Sequence, residues 1–379
     1  MTVLDQPQSD LAADLVVTPA VSALPAITGF GAAFPGEMDQ DGLWRDFFAA
    51  HYSSCIPRTG AVARRIFASA GVTRRHGAVD PRVEDVSTWG TGARMERFVS
   101  EAMPLGRRAV EQALTAAGLD AAEVGLFAVV TCTGYSTPGL DILLARDLGM
   151  APTVQRLMIG HMGCYAALPG MGAVSDFVTA RNRPAVLLCL ELTSLHVQPA
   201  TSDLGQVVAH ALFADAAAAI VVQPGGAPTP SERVDTRRRL RIRDVVAVTD
   251  PTTSDHMTWD VTDLGFRMGL SPRVPKVLER HVGAVVRDQL LAPHGLAPAD
   301  VTAWAVHPGG RRILEVVGEQ LELPPEAMAP SYEVLDQFGN CSSATVLLVL
   351  DRLPDEPGPV VAMAFGPGLT LYAVLLERD

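Results

Sequence analysis

Two kinds of hydrophobic pattern alternate along this chain: stretches with an apolar stripe at helical spacing, and short runs that are apolar throughout. The first kind predicts helices near 98–117 and 138–148, and the second, bounded by turn residues, predicts strands near 125–132 and 184–192. The segment ALPAITGFGAAFPGE (23–37) reads as a strand closed by a Gly/Pro turn. Residues 1–23 mix Asp, Gln, Pro and Ala without period and read as a flexible leader. The run ATVLLVL (344–350) has the length of a strand or of a buried helix. Helices and strands taking turns in this way predict an α/β protein whose sheets are covered by helices.

Laid on itself at a shift of 177 residues, the chain matches itself. GLDAAEVGLFAVV (118–130) falls over GLAPADVTAWAVH (295–307), with Gly118/Gly295, Leu119/Leu296, Ala122/Ala299, Val124/Val301, Ala128/Ala305 and Val129/Val306 identical. The same shift puts Gly163-Cys164 over Asn340-Cys341, each ahead of a run of small residues suited to a buried helix. A duplicated α/β unit packs about a pseudo-twofold axis, so equivalent strand ends and helix starts converge on one centre. The expected halves are 24–236 and 237–379. They differ where chemistry would sit: the strand ending at Val130 has a counterpart ending in His307, and Cys164 answers to the neighbourhood of Asn340.

Each of these residues has an everyday alternative. Cys164, in GHMGCYAALPGM, follows a glycine that permits a tight strand-to-helix turn, yet a lone cysteine is usually a small buried hydrophobe. At a helix N-terminus beside an imidazolium its pKa would fall and supply thiolate at neutral pH. His307 ends an apolar strand before Pro308-Gly309-Gly310, and Asn340 precedes a helix where N-capping would be an ordinary use. Brought together by the repeat, a thiolate, an imidazole and a carboxamide suit thioester chemistry. The sulfur accepts an acyl group while two donors hold a developing oxyanion, and the same donors stabilise the enolate left when a malonyl thioester loses CO2.

Composition narrows the partners. At 379 residues, 48% hydrophobic and 19% charged, with a mean hydropathy of +0.21, the chain can bury a large core. A net charge of −12 argues against nucleic acid or an anionic membrane. Lys276 is the only lysine, so cationic contacts fall to arginine. The first 44 residues carry no Lys or Arg and include Asp5, Asp10 and Asp14, the wrong charge for an export signal, which points to the cytoplasm. No apolar run approaches the ~18 residues needed to span a bilayer. Cys55, Cys132, Cys164, Cys189 and Cys341 are too few and too scattered for a disulfide framework, and no spacing suggests zinc.

At MGCYA, HPGG, FGNCSSA, ALFADAAAA and FGPGLT (365–370) the chain resembles the chalcone-synthase-like type III polyketide synthases, from Ala23 to Arg378. The resemblance implies a thiolase-like, layered αβαβα fold in a homodimer. It implies no cofactor beyond free coenzyme A thioesters: an acyl-CoA starter loaded on Cys164 is extended with malonyl-CoA by decarboxylative condensation, then cyclised. His307 and Asn340 would assist, and Phe213 and Phe266 would be gatekeeper aromatics, although phenylalanines in apolar runs are usually core. The family's cavity positions fall on Cys132, Thr137, Thr193 and His196. Cys132 is expected to shape the cavity rather than react, and Thr137 replaces a bulkier residue that in plant enzymes reaches into the partner's cavity. Coenzyme A phosphates would meet the arginine cluster of 58–77, best at Arg65 and Arg58, although a solvated basic face would look the same; Arg74 and Arg75 belong to that cluster. A second cluster, Arg237 to Arg243, is expected at the join of the halves. The expected product is a pyrone or resorcinol from a fatty or branched starter. The alternatives are a 1,3,6,8-tetrahydroxynaphthalene-type synthase using malonyl-CoA alone and a ketoacyl-carrier-protein synthase III-like enzyme; a papain-like protease and an inactive scaffold fit less well.

Overall fold

The computed structural model describes residues 23–53, 55, 60–226 and 239–379. The expected leader up to residue 22, Arg58, Arg237 and Arg238, and the expected boundary at 236/237 lie outside the described residues.

The first half begins with β1 (Ala26–Ala33) and β2 (Gly36–Asp39), so the single strand expected over 23–37 is two. Two short helices follow, α1 (Gln40–Leu43) and α2 (Ala49–Ser53), then α3 (Gly60–Ser69), β3 (Arg74–Gly77) and α4 (Thr91–Ala117). Next come β4 (Leu126–Thr131), α5 (Leu140–Asp147), β5 (Gln155–Gly160), α6 (Ala167–Arg181), β6 (Ala185–Glu191), α7 (Leu204–Leu212) and β7 (Ala216–Gln223). The second half holds β8 (Leu240–Thr249), the hairpin β9 (Met257–Thr262) and β10 (Gly265–Leu270), α8 (Val274–Gly283), β11 (Ala303–Val306) and α9 (Arg311–Leu321). It ends with α10 (Ala329–Phe338), α11 (Thr345–Leu350), β12 (Gly358–Gly366) and β13 (Thr370–Arg378).

Helix α4 starts seven residues before its apolar stripe does. Its first turns look like a polar loop, but Arg94 there is completely buried. Its guanidinium is satisfied by the nearby carbonyls of Trp89 (2.8 Å) and Ser87 (3.2 Å) and by those of Val197 (3.1 Å) and Leu195, which lie about a hundred residues on and which no local pattern announces.

Nine strands run in the order β11-β12-β13-β8-β1-β7-β6-β4-β5. The order is palindromic in character: β4 and β6 are parallel and β7 and β1 continue antiparallel, while β11 and β12 are parallel and β13 and β8 continue antiparallel. Among the described residues the two half-sheets meet where β1 touches β8, at Ala26↔Arg241 and Ile27↔Leu240. At that join Arg241 pairs with Asp379 (2.5 Å) and Arg243 with Glu377 (2.8 Å), where the second basic cluster was expected. The repeat holds in three dimensions. The turns Ala121–Glu123 and Pro298–Asp300 are each closed by an acidic side chain, Glu123 on the Asp120 amide (3.0 Å) and Asp300 on the Ala297 amide (2.8 Å), and each feeds a buried strand 177 residues from its counterpart.

Layering follows from which faces are apolar. α4 packs on the outer face of the first half-sheet, and α8 and α9 on the outer face of the second. Between the half-sheets lie α6 and α11, and the order α, β, α, β, α is the layered fold expected. All six residues of α11 are buried, which settles 344–350 as a helix; a helix wrapped on every side carries no stripe to distinguish it from a strand. Strand β5 is an edge: its outer side is unpaired among the described residues, and Leu157 and Met158 are exposed beside Tyr135, which is 65% exposed, and Ile142. Among the described residues, no helix is long and apolar enough to cross a membrane.

Candidate active site

Cys164 lies in a single tight turn, Gly163–Tyr165, between β5 and the N-terminus of α6. Gly163 has φ of +76°, and a Cβ there would meet the Pro367 ring at 2.7 Å, so the glycine serves both the turn and the close approach of the FGPGLT loop. The thiol is buried, and the side chains of Ser342 and Asn340 act on it to favour its charged form.

His307 extends β11 by one residue, its amide bonded to the Met363 carbonyl at 2.8 Å, and its ring stands edge-on to Phe365. The imidazole is completely buried, and neither ring nitrogen has a hydrogen-bond partner among the described residues. Buried polar atoms are nearly always paired, so an imidazole left open on both sides is held for something that enters.

Asn340 follows α10 and sits in a parallel bridge with Phe213. Its amide donates to the Leu212 carbonyl at 2.9 Å, and its carbonyl accepts from the Ala214 amide at 3.0 Å. The side-chain Oδ1 accepts from the Ser342 amide at 2.9 Å, an Asx turn two residues on, while the N-cap of the helical turn that follows is Cys341, so Asn340 does not take the capping role open to it. That bond engages the oxygen and leaves the Nδ2 hydrogens to other partners.

Cys164, His307 and Asn340 line a single cavity of about 450 Å³ together with Phe213 and Phe365. Ile66, Ala70, Val208, Leu212, Met257 and Leu270 make most of its remaining wall apolar. Arg311 and Arg312, at the start of α9, also line it and escaped sequence reasoning; both are drawn toward Glu315. The expected Arg65 is exposed on α3, one turn before the lining residue Ser69. Arg75, expected in the same entrance cluster, is instead buried and lines a second, smaller cavity.

Five expected cavity residues do not line this space. Thr193 and His196 border a separate cavity of about 50 Å³ that shares only Phe213 with it. Thr193 donates to the Ala214 carbonyl and Asp215 carboxylate, both at 3.0 Å. The His196 ring stacks on Phe266 with centroids 4.6 Å apart, donates from Nε2 to the Thr133 carbonyl (2.7 Å) and accepts the Phe266 amide at Nδ1 (2.9 Å). Phe266 is buried and packed against the rings of His196 and Trp259. Cys132 lies behind Ser342, its sulfur 3.5 Å from that hydroxyl, and Thr137 is exposed, bonded to Tyr135. The arrangement was illegible because it depends on which side of a strand end each residue takes.

Two further residues lie behind the lining of the cavity. Glu191 is completely buried at the end of β6, accepting from the Ser343 hydroxyl (2.6 Å), the Thr133 hydroxyl (2.8 Å) and the Cys132 amide (3.0 Å); burial raises its pKa against those bonds. Ser342 holds a positive φ of 49° while bridging both thiols, two residues past Asn340 in a motif whose side chains sequence reasoning credited only for Asn340.

Burial pushes the Cys164 thiol up to about 12, opposed chiefly by the Ser342 and Asn340 hydrogen bonds, and pushes the His307 imidazole down to about 3. The thiolate expected at neutral pH from the helix terminus is therefore not what burial favours. Burial thus favours the neutral form of both groups. Burial and then Glu191 push the Cys132 thiol well above the ordinary thiol range, which disfavours a thiolate there.

Comparison with known proteins supplies the family context. The N-terminal domain signature of chalcone and stilbene synthases matches residues 28–228, and the C-terminal one matches residues 245–378. The chain is 37% identical over 328 residues to a 1,3,6,8-tetrahydroxynaphthalene synthase of Streptomyces peucetius, covering 84% of each. It is 31% identical over 325 residues to the alpha-pyrone synthesis polyketide synthase-like Pks18 of Mycobacterium tuberculosis, covering 83% of this chain and 81% of that one. Among solved structures it matches PKS-I of the brown alga Ectocarpus siliculosus with a TM-score of 0.84 at 28% identity, over 94% of this chain and 98% of the other.

Proposed function

This chain belongs to the chalcone and stilbene synthase family, and we propose that it works as a type III polyketide synthase with Cys164, His307 and Asn340 as its catalytic residues. The observation that carries this reading is the convergence of those three side chains on one apolar cavity. Cys164 Sγ attacks the carbonyl of an acyl-CoA starter as its proton moves to His307. Coenzyme A leaves as the thiol by taking that proton, and the acyl group stays on sulfur. Malonyl-CoA then loses CO2, and the electron pair of the broken bond becomes an enolate held by donors on Asn340 and His307. The enolate carbon attacks the acyl-cysteine, forming the new C–C bond and returning the electron pair to sulfur. No step calls for a cofactor other than the thioesters themselves.

The apolar wall from Ile66 to Leu270 favours an aliphatic or branched starter and a pyrone or resorcinol-type product. Phe213, shared by the two cavities, would gate passage between them, and Arg65, Arg311 and Arg312 would meet the coenzyme A phosphates. A second reading, a tetrahydroxynaphthalene-type synthase using malonyl-CoA alone, draws on the 50 Å³ chamber behind Phe213, which has no room for an alkyl chain. The two separate in one experiment: malonyl-CoA alone, or with straight and branched acyl-CoA starters of increasing length, followed by mass spectrometry. Products whose masses track the starter support the first reading, and a naphthalene without starter supports the second. Condensation that requires carrier-protein-bound malonate would overturn both.

Substrates of this kind place the enzyme in the cytoplasm. The exposed apolar edge of β5, with Leu157, Met158, Tyr135 and Ile142, is where a second copy would pack to give a homodimer. Light scattering on the purified protein is expected to return twice 40.1 kDa, and a monomer at micromolar concentration would refute that placement.

A further inference from the structure

Helix α7 ends immediately before Phe213, and every carbonyl of its last turn has an identified partner. The Ala209 carbonyl accepts the Phe213 amide at 3.0 Å, and the Leu212 carbonyl accepts the Asn340 amide at 2.9 Å. The carbonyls of His210 and Ala211, and that of Phe213 just beyond the helix, are held by one guanidinium, with the Ala211 oxygen also accepting from Gln40 Nε2 at 2.9 Å. Arg75 Nη1 donates to the carbonyls of His210 (2.7 Å) and Phe213 (2.9 Å), and Nη2 donates to that of Ala211 (3.0 Å) and to Gln40 Oε1. Helix ends leave such carbonyls without intrahelical partners. Here a guanidinium from β3 and the backbone of Asn340 share the cap.

Arg75 is only 5% exposed, and no carboxylate pairs with it within salt-bridge range among the described residues. The nearby Asp215 is taken up by the amides of Ala78 and Ser194, both at 2.8 Å, and by the Ser194 hydroxyl at 2.5 Å. A buried cation satisfied by carbonyl oxygens is costly unless the geometry is closely held, so it fixes the carbonyls it binds. The other side of the junction is equally constrained. Gly339 has φ of +70°, and a Cβ there would lie 2.9 Å from the Leu212 carbonyl oxygen and 3.6 Å from Arg75 Cβ.

We propose that Arg75 is a positioning residue for Asn340. By locking the carbonyls around Leu212, it sets the bridge on which the Asn340 backbone hangs, and with it the reach of the carboxamide to the reacting carbon. The inference rests on the reading that Asn340 stabilises the malonyl enolate. A displacement of about 1 Å in such a group costs up to about 10²-fold in rate.

The test uses the full-length protein and two readouts: CO2 release from malonyl-CoA, which needs the carboxamide, and alkylation of Cys164 by iodoacetamide, which develops no oxyanion. Arg75→Met should lower decarboxylation by about tenfold or more while alkylation stays within a few-fold of wild type. Arg75→Lys, which keeps the charge but cannot span three carbonyls, should recover part of the loss. Arg94→Met, which removes another buried carbonyl-bound guanidinium, should lower the melting temperature and leave the ratio of the two rates near wild type. An unchanged ratio in Arg75→Met, or an equal fall in Arg94→Met, would overturn the proposal. If Arg75→Met does not fold, the ratio in Arg75→Lys decides, and a wild-type value there also overturns it. Asn340→Ala run alongside separates the two claims: if it leaves decarboxylation intact, the enolate reading of Asn340 is what has failed.

Discussion

Cys164→Ala should lower formation of extended product by about 10³-fold or more, while decarboxylation of malonyl-CoA continues. Removing the thiol removes the atom on which the starter waits, and no neighbouring group can replace it. Cys132 sits behind Ser342 with its thiol pushed well above the ordinary range, and Cys341 is completely buried. The enolate, by contrast, is held by His307 and Asn340, which the substitution leaves in place. The measurement is paired: product by mass spectrometry with starter and malonyl-CoA, and CO2 release with malonyl-CoA alone. Intact-mass analysis should also show the starter adduct on wild type and none on the variant. Extended product from Cys164→Ala at a rate near wild type would end the acyl-cysteine mechanism.

Asn340→Ala should behave in the opposite sense, with decarboxylation itself falling by about 10²–10³-fold, the usual loss when one preorganised oxyanion donor is removed. The carboxamide makes two separable contributions. Its oxygen holds the Ser342 amide, and its Nδ2 faces the cavity. Asn340→Asp keeps the oxygen that accepts from the Ser342 amide and replaces the donor with an acceptor, so it should be as poor in decarboxylation as the alanine variant while retaining more of its thermal stability. If the aspartate variant decarboxylates at the wild-type rate, Nδ2 is not the donor.

The layered fold and the three central residues were legible because the repeat is written in the sequence. Matching strands and turns 177 residues apart place Cys164, His307 and Asn340 at equivalent ends without reference to packing. The periphery of the site was not legible in the same way. His196, Thr193 and Phe266 fall near the right segments, but a rotation of one position about a strand end sends them to the small chamber or into stacking. Arg75 reads as one of a run of basic residues near an entrance; only the burial of β3 against residues 211–215 shows that it faces inward. Net charge and local composition carry no information about which arginine is surrounded by carbonyls. The electrostatics of Cys164 were misjudged for a related reason: a helix terminus is visible in sequence, whereas the desolvation that outweighs it is a property of the assembled interior.

The internal alignment that places Gly163-Cys164 over Asn340-Cys341 carries one more meaning. The mirror image of the nucleophile is still a cysteine, yet Cys341 has no exposed surface and its sulfur is turned to the Phe338 carbonyl at 3.4 Å. Of the two thiols that the repeat aligns, one lines the cavity and the other is enclosed by the interior. The internal symmetry of the fold therefore stops short of its cysteines, and each polypeptide presents one of the pair to a ligand, not both.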